Sequence, residues 1–166
     1  MLRVEGWPIN LSWSQFREIA TRPRNASEDA QINPLANVGT LTADQGEFLG
    51  FQMYHVTGLV VTISINPEST WVVAGRRTPE LLRHEQGHLD LLGLKARGML
   101  QEIGRLRKPE EVELRAAVNR VIRDFQHRAQ ALDARYDRET DHGRNRSGQL
   151  RWNQQIQRAI TAGGGI

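Results

Sequence analysis

The 166-residue chain contains no cysteine. That excludes disulfides and thiolate metal sites, so any transition metal must rest on nitrogen and oxygen donors. It leaves the compartment open, because a chain without disulfides folds equally well in cytosol or periplasm. Met1-Leu2-Arg3-Val4-Glu5-Gly6-Trp7-Pro8 has neither a basic n-region nor an apolar h-region. No signal peptide is therefore expected in the chain as written, which reads as cytoplasmic if complete; a removed leader replaced by a start Met would look the same. No apolar run approaches the length that crosses a bilayer, which predicts a soluble chain with no membrane partner. Internal repeats and long linkers are also missing, so one domain over residues 1–166 is expected.

The formal net charge is +3, and its excess sits in the arginine-rich second half. Glu110, Glu111, Glu113, Asp124, Asp133, Asp137, Glu139 and Asp141 are interspersed there. Mixed signs of this kind mark a solvated helix face and argue against a nucleic-acid footprint.

The texture divides near residue 77. Ser12-Trp13-Ser14-Gln15 has the form of a capping box, with Trp13, Phe16 and Ile19 at helical spacing, which predicts a short helix to about Ala20. Thr21 to Pro34 reads as loop. Leu35–Thr42, Glu47–Val56 and Thr57–Ile65 are strand-like, with Leu59, Val61, Ile63 and Ile65 alternating onto one face; Trp71-Val72-Val73 offers a further short strand. His55 in this region is read as a sheet histidine bonded to a neighbour. Residues 1–77 are thus mainly β with one short helix, and 78–162 are helical.

Thr78 as N-cap and Pro79 at the first helical position open a helix expected to run to about Arg107. Gly87 and Gly93 weaken it intrinsically, and helices retain such glycines where another backbone presses close. Pro109-Glu110-Glu111 starts a second helix whose stripe runs Leu114, Val118, Val121, Phe125, Ala129, Leu132 and Tyr136. A polar connection over residues 137–143 then leads to a last helix with Leu150, Trp152, Ile156 and Ile160; Gly163 to Gly165 are expected to fray.

Within the first long helix lies His84-Glu85-Gln86-Gly87-His88, an H-E-x-x-H. Side chains four apart share one helical face, so both imidazoles can reach a single metal ion, while Glu85 flanks that face and can touch a water without being a ligand. The competing reading is a surface helix with two solvated histidines. Leu81, Leu82, Leu89, Leu91, Leu92 and Leu94 make the segment too apolar for that.

A catalytic zinc takes three protein ligands. The extension H-E-x-x-H-x-x-G-x-x-H fails, because Leu91 and Leu94 stand where glycine and histidine would be. Glu102 shares the face but lies about 21 Å further along the axis. Glu110, Glu111 and Glu113 are already explained as first-turn acids. The stretch Tyr136 to Gly143 is better placed: His142 leads as third ligand, with Asp141 and Glu139 as alternatives.

Leu11-Ser12-Trp13-Ser14-Gln15-Phe16, Ser69-Thr70-Trp71-Val72, Leu82 to Asp90, and Tyr136-Asp137-Arg138-Glu139-Thr140-Asp141-His142-Gly143 with Gln149 and Trp152 together resemble the bacterial domain-of-unknown-function 922 family, read as zinc-dependent proteases. The resemblance implies His84 and His88 as ligands, Glu85 as the catalytic glutamate and His142 as third ligand. Its members are often exported, which leaves localisation open.

The expected architecture is α+β: a small zincin-like domain with an N-terminal antiparallel or mixed sheet packed on the motif helix and two further C-terminal helices. The expected function is a zinc metalloprotease with one Zn2+, a peptide or protein substrate, Glu85 as general base and Tyr136 as hydroxyl donor to the oxyanion. A strand from the Glu47–Ile65 region is expected to line the cleft and pair with an extended substrate. A zinc-stabilised binding module is the alternative.

Overall fold

A computed structural model describes all residues, 1–166. Its α+β architecture has seven strands in two sheets, followed by three helices: β1 (Leu2–Glu5), β2 (Arg17–Ile19), β3 (Ala30–Gln31), β4 (Pro34–Val38), β5 (Thr42–Phe48), β6 (Phe51–Ile65), β7 (Trp71–Val73), α1 (Pro79–Gly104), α2 (Glu111–Thr140) and α3 (Arg146–Ala162). No helix is long and apolar enough to cross a membrane.

The first sheet is organised by β6, whose 15 residues serve three partners. Its first half forms a hairpin with β5, from Phe48 opposite Phe51 to Thr42 opposite Gly58. Its second half pairs antiparallel with β4 and parallel with β1. The alternation expected over Thr57–Ile65 holds: Leu59, Val61 and Ile63 are buried, and Thr62 between them is exposed. That face meets Leu89, Leu94, Met99, Leu100 and Ile103 in one core.

The second sheet was not foreseen. It places β7 between β2, parallel, and β3, antiparallel. The helix expected over Ser12 to Ala20 is instead a single 3-10 turn, Trp13–Gln15, from which the chain passes into β2. Gln15 does accept from the Ser12 backbone N–H at 2.7 Å, so the local capping signal is real. Pairing with β7 satisfies the following backbone groups and overrides helical spacing, a tertiary override of local propensity.

α1 runs uninterrupted and packs against β1, β4, β6, α2 and α3. Two of its glycines are points of close approach, as their retention in a helix implied. A Cβ at Gly87 would lie 2.1 Å from the Tyr136 hydroxyl, and one at Gly93 2.2 Å from the Trp7 indole. Asp90 secures the same indole by accepting from Trp7 Nε1 at 2.9 Å. Gln86 clips residues 9–11 to the helix, accepting from Leu11 N–H at 2.8 Å and donating to the Ile9 carbonyl at 3.0 Å. Asp90 therefore has the structural role that its position, turned away from His88, predicts.

Two boundaries differ from expectation. α2 continues through Tyr136 to Thr140, so the polar connection shrinks to a left-handed turn in which Asp141, His142 and Gly143 have φ of 48°, 50° and 82°. The terminal glycines are tied down: Gln101 donates to the Gly163 carbonyl at 3.0 Å, and Gly165 packs on Gly98.

Gly93→Ala forces its methyl into the Trp7 ring, and overpacking of a filled core costs about 1–3 kcal/mol. Denaturant titration should show a loss of that size; an unchanged midpoint would mean that the helix and the Trp7 segment are not in contact.

Candidate metal centre and cleft

The two motif histidines lie on the face of α1 that meets α2. Each has its Nδ1 engaged by an acceptor: His84 Nδ1 stands 3.1 Å from Gln149 Oε1, and His88 Nδ1 stands 2.6 Å from Asp133 Oδ1. These partners assign the ring proton to Nδ1 in both neutral imidazoles, leaving the Nε2 lone pairs free. The two Nε2 atoms face each other at 3.2 Å, and Asp137 Oδ1 lies 3.2 Å from one and 3.1 Å from the other.

With both rings neutral these three atoms are all electron-pair donors, whereas in the metal-free cluster a proton on either Nε2 makes that ring a donor to Asp137 instead. Donors sharing one tetrahedral ion at 2.0–2.1 Å stand about 3.3 Å apart, close to the separations found here. Second partners on Nδ1, one of them a carboxylate, are the usual means of orienting metal-bound imidazoles. The His/Asp group therefore fits a metal ion, and its mixed nitrogen and oxygen chemistry suits zinc.

The ionisation of the cluster follows from its charges. Burial pushes the Asp137 carboxyl up, but hydrogen bonds from His84 and His88 outweigh this and hold it well below the usual carboxylate range. Burial pushes the His88 imidazole down, and hydrogen bonds to Asp133 and Asp137 more than reverse it, raising the imidazole well above its ordinary value. Glu85 is only 2% exposed, and burial raises its carboxyl despite the opposing pull of His88 and His84. Its Oε2 accepts from the Ile32 backbone N–H at 2.7 Å.

His84, Glu85, His88, Asp137 and His142 all open onto one cleft of about 370 Å³, walled on one side by residues 30–34. The strand at its rim is β3, the edge of the second sheet, whereas the Glu47–Ile65 segment expected there belongs to the first sheet and does not line the cleft. Apolar surface comes from Ile32, Leu91, Leu92 and Leu132.

The other expected site residues separate. His142 reaches the cluster, with Nδ1 at 3.4 Å from Asp137 Oδ1 and Nε2 at 3.3 Å from Ser27 Oγ. Its alternatives do not: Asp141 pairs with Arg144 in solvent, and Glu139 accepts from Arg135 and from Trp152 Nε1. Tyr136 is a correction. It is fully buried and does not line the cleft; its hydroxyl donates to the His84 carbonyl at 3.0 Å and accepts from Gln149 Nε2 at 2.7 Å. A hydroxyl committed to helix packing has no hydrogen to offer an oxyanion. His55 is likewise not bonded as expected, since its buried Nδ1 has no partner and its ring meets Phe48 edge-on. His127 is exposed, and Trp71 and Trp152 are core.

Sequence reasoning missed Asp137, Asp133 and Gln149. A signal existed: Asp133 and Asp137 are four apart beside the apolar stripe of α2, the same spacing as the two histidines. Treating residues after Tyr136 as a connection removed Asp137 from that face.

Residues 69–143 match the model of a family described as a bacterial protein of unknown function, DUF922. The matched stretch holds the motif histidines, Glu85, Asp133, Asp137 and His142, and leaves out the Leu11–Phe16 block, Gln149 and Trp152, which the resemblance had included. No match to the chain is found among curated proteins or solved structures.

Metal must displace protons from this cluster. Affinity for a divalent ion should therefore fall as pH drops through the raised pKa of His88, with protons released on binding. In metal-free protein the linkage has the opposite sign. A folded pKa above the ordinary 6.5 stabilises the fold below that value, and the contribution is lost as pH rises through the folded pKa. Chelator competition and thermal melts across pH, with and without metal, check both; a pH-independent affinity would sink the assignment.

Proposed function

We propose that the chain, whose residues 69–143 match the DUF922 family model, is a zinc-dependent peptidase with a single Zn2+ and a peptide or protein substrate. The observation that carries this reading is the triangle of His84 Nε2, His88 Nε2 and Asp137 Oδ1, with sides of 3.1–3.2 Å, set beside a buried glutamate at the base of an open cleft.

His84 and His88 hold the ion, and the third donor comes from the end of α2, where Asp137 and His142 stand together. Zinc supplies a Lewis acid that polarises a carbonyl and brings the pKa of water toward ~7. The chain's own residues do the rest. Glu85, next to His84 and facing the cleft, receives a proton from water and returns it to the leaving amine nitrogen. Its raised pKa brings proton affinity closer to neutrality, which suits a group that must both accept and donate. Ile32 N–H orients the carboxylate. The apolar surface of Leu91, Leu92 and Leu132 receives a substrate side chain and excludes water.

One observation favours a second reading. Asp137 and His142 together would give four protein donors and no place for water, the arrangement of a structural site in a binding module. Activity decides between the two. Glu85→Gln should keep zinc stoichiometric and reduce cleavage of an unfolded protein by about 10²–10⁴-fold, the usual scale for a general base. Stoichiometric zinc with wild-type cleavage no greater than that of Glu85→Gln would rule out the peptidase mechanism and leave the binding module.

A further inference from the structure

We infer that Asp137, and not His142, is the third protein ligand of the metal, so that His142 stands beside the centre as a cleft-wall imidazole. The inference rests on the zinc reading above and sharpens it, because it decides whether the fourth position is open.

Ring geometry discriminates between the two. With a metal–nitrogen bond of 2.0–2.1 Å, the centroid of a bound imidazole lies about 3.2 Å from the ion, and two rings on one tetrahedral ion have centroids about 5.2 Å apart. The His84 and His88 centroids are 4.8 Å apart, consistent with a shared ion. Those of His84 and His142 are 6.4 Å apart, which would require the two rings to stand almost in line across it. Asp137 needs no such adjustment, since its Oδ1 already touches both Nε2 atoms at donor-sharing distance.

The supporting structure agrees. Asp137 sits in the last turn of α2, four residues after Asp133, so one helix supplies both a ligand oxygen and the acceptor that orients His88. His142 sits beyond the helix, in the left-handed turn that follows it. Nδ1 faces Asp137, and Nε2 faces Ser27 Oγ, whose own carbonyl is held by Arg144 Nη2 at 2.5 Å. An imidazole bridging Asp137 and Ser27 is placed to orient the carboxylate and to border the cleft, where 27% of its side chain remains exposed.

The test is zinc affinity by chelator competition on the full chain. Loss of an outer partner weakens metal binding by roughly 10–100-fold. His142→Ala should lose no more than that, whereas Asp137→Ala and the nearly isosteric Asp137→Asn should lose clearly more. A second measurement needs no variant: zinc loading of the wild type should shift the ring-nitrogen resonances of His84 and His88 into the metal-bound range and leave those of His142 outside it. A larger loss with His142→Ala, equal losses at both positions, or a metal-bound His142 resonance would each overturn the inference. Wild-type protein that binds no zinc overturns it together with the zinc reading. Zinc binding with the expected order of losses but no peptide cleavage supports it and removes only the peptidase reading.

Discussion

The absence of a side chain at Gly87 lets α2 press onto α1 where Tyr136 lies, and the centre depends on that contact. A methyl there would meet the tyrosine hydroxyl 2.1 Å away. With the gap closed, Tyr136 stacks on His84 with ring centroids 4.8 Å apart, and Asp133 and Asp137 on the neighbouring turns face His88 and His84. Two pairs of residues four apart, one on each helix, are thus brought into register by the packing of a single aromatic ring. Glycine costs up to about 1 kcal/mol in a helix interior, and here that cost is offset by the buried contacts it permits.

Polar satisfaction then sets the chemistry. Gln149 has one carbonyl and one amide end, and both are used: the oxygen faces His84 Nδ1, while the nitrogen donates to Tyr136 and Asn153. The side chain is buried, so reversing it would bring an amide N–H against a ring N–H and leave the tyrosine oxygen without a donor. Unsatisfied buried groups cost about 1–3 kcal/mol each. The orientation of Gln149, and with it the direction of the His84 lone pair, is therefore strongly determined.

Features written in local spacing were readable in the sequence. The H-E-x-x-H pair, the alternation of β6, the stripe of α2 and the caps of α1 each depend on neighbours within a turn or two. Gly87 and Gly93 were readable as contacts because a helix tolerates glycine only for a reason, although their partners, Tyr136 and Trp7, were not. Features that depend on distant pairing were lost. Arg17–Ile19 becomes a strand because β7 lies beside it, and Ala30–Gln31 becomes the cleft rim for the same reason. Asp137 was hidden by a helix end placed four residues too early, since polar residues at the end of a helix look like the start of a loop. Tyr136 was assigned to chemistry because of the residues around it, whereas the stripe it completes had already indicated burial.

The position of Gln149 on the last of the three helices has a consequence for biosynthesis. Domains are made from the N-terminus onward, so the strands, both motif histidines and α2 leave the ribosome before α3. Until α3 docks, His84 lacks the acceptor that fixes its ring proton, and Tyr136 lacks the donor that holds its oxygen. The centre is therefore completed last. A centre assembled in that order remains unfinished while the chain nearest to it is still emerging and unfolded.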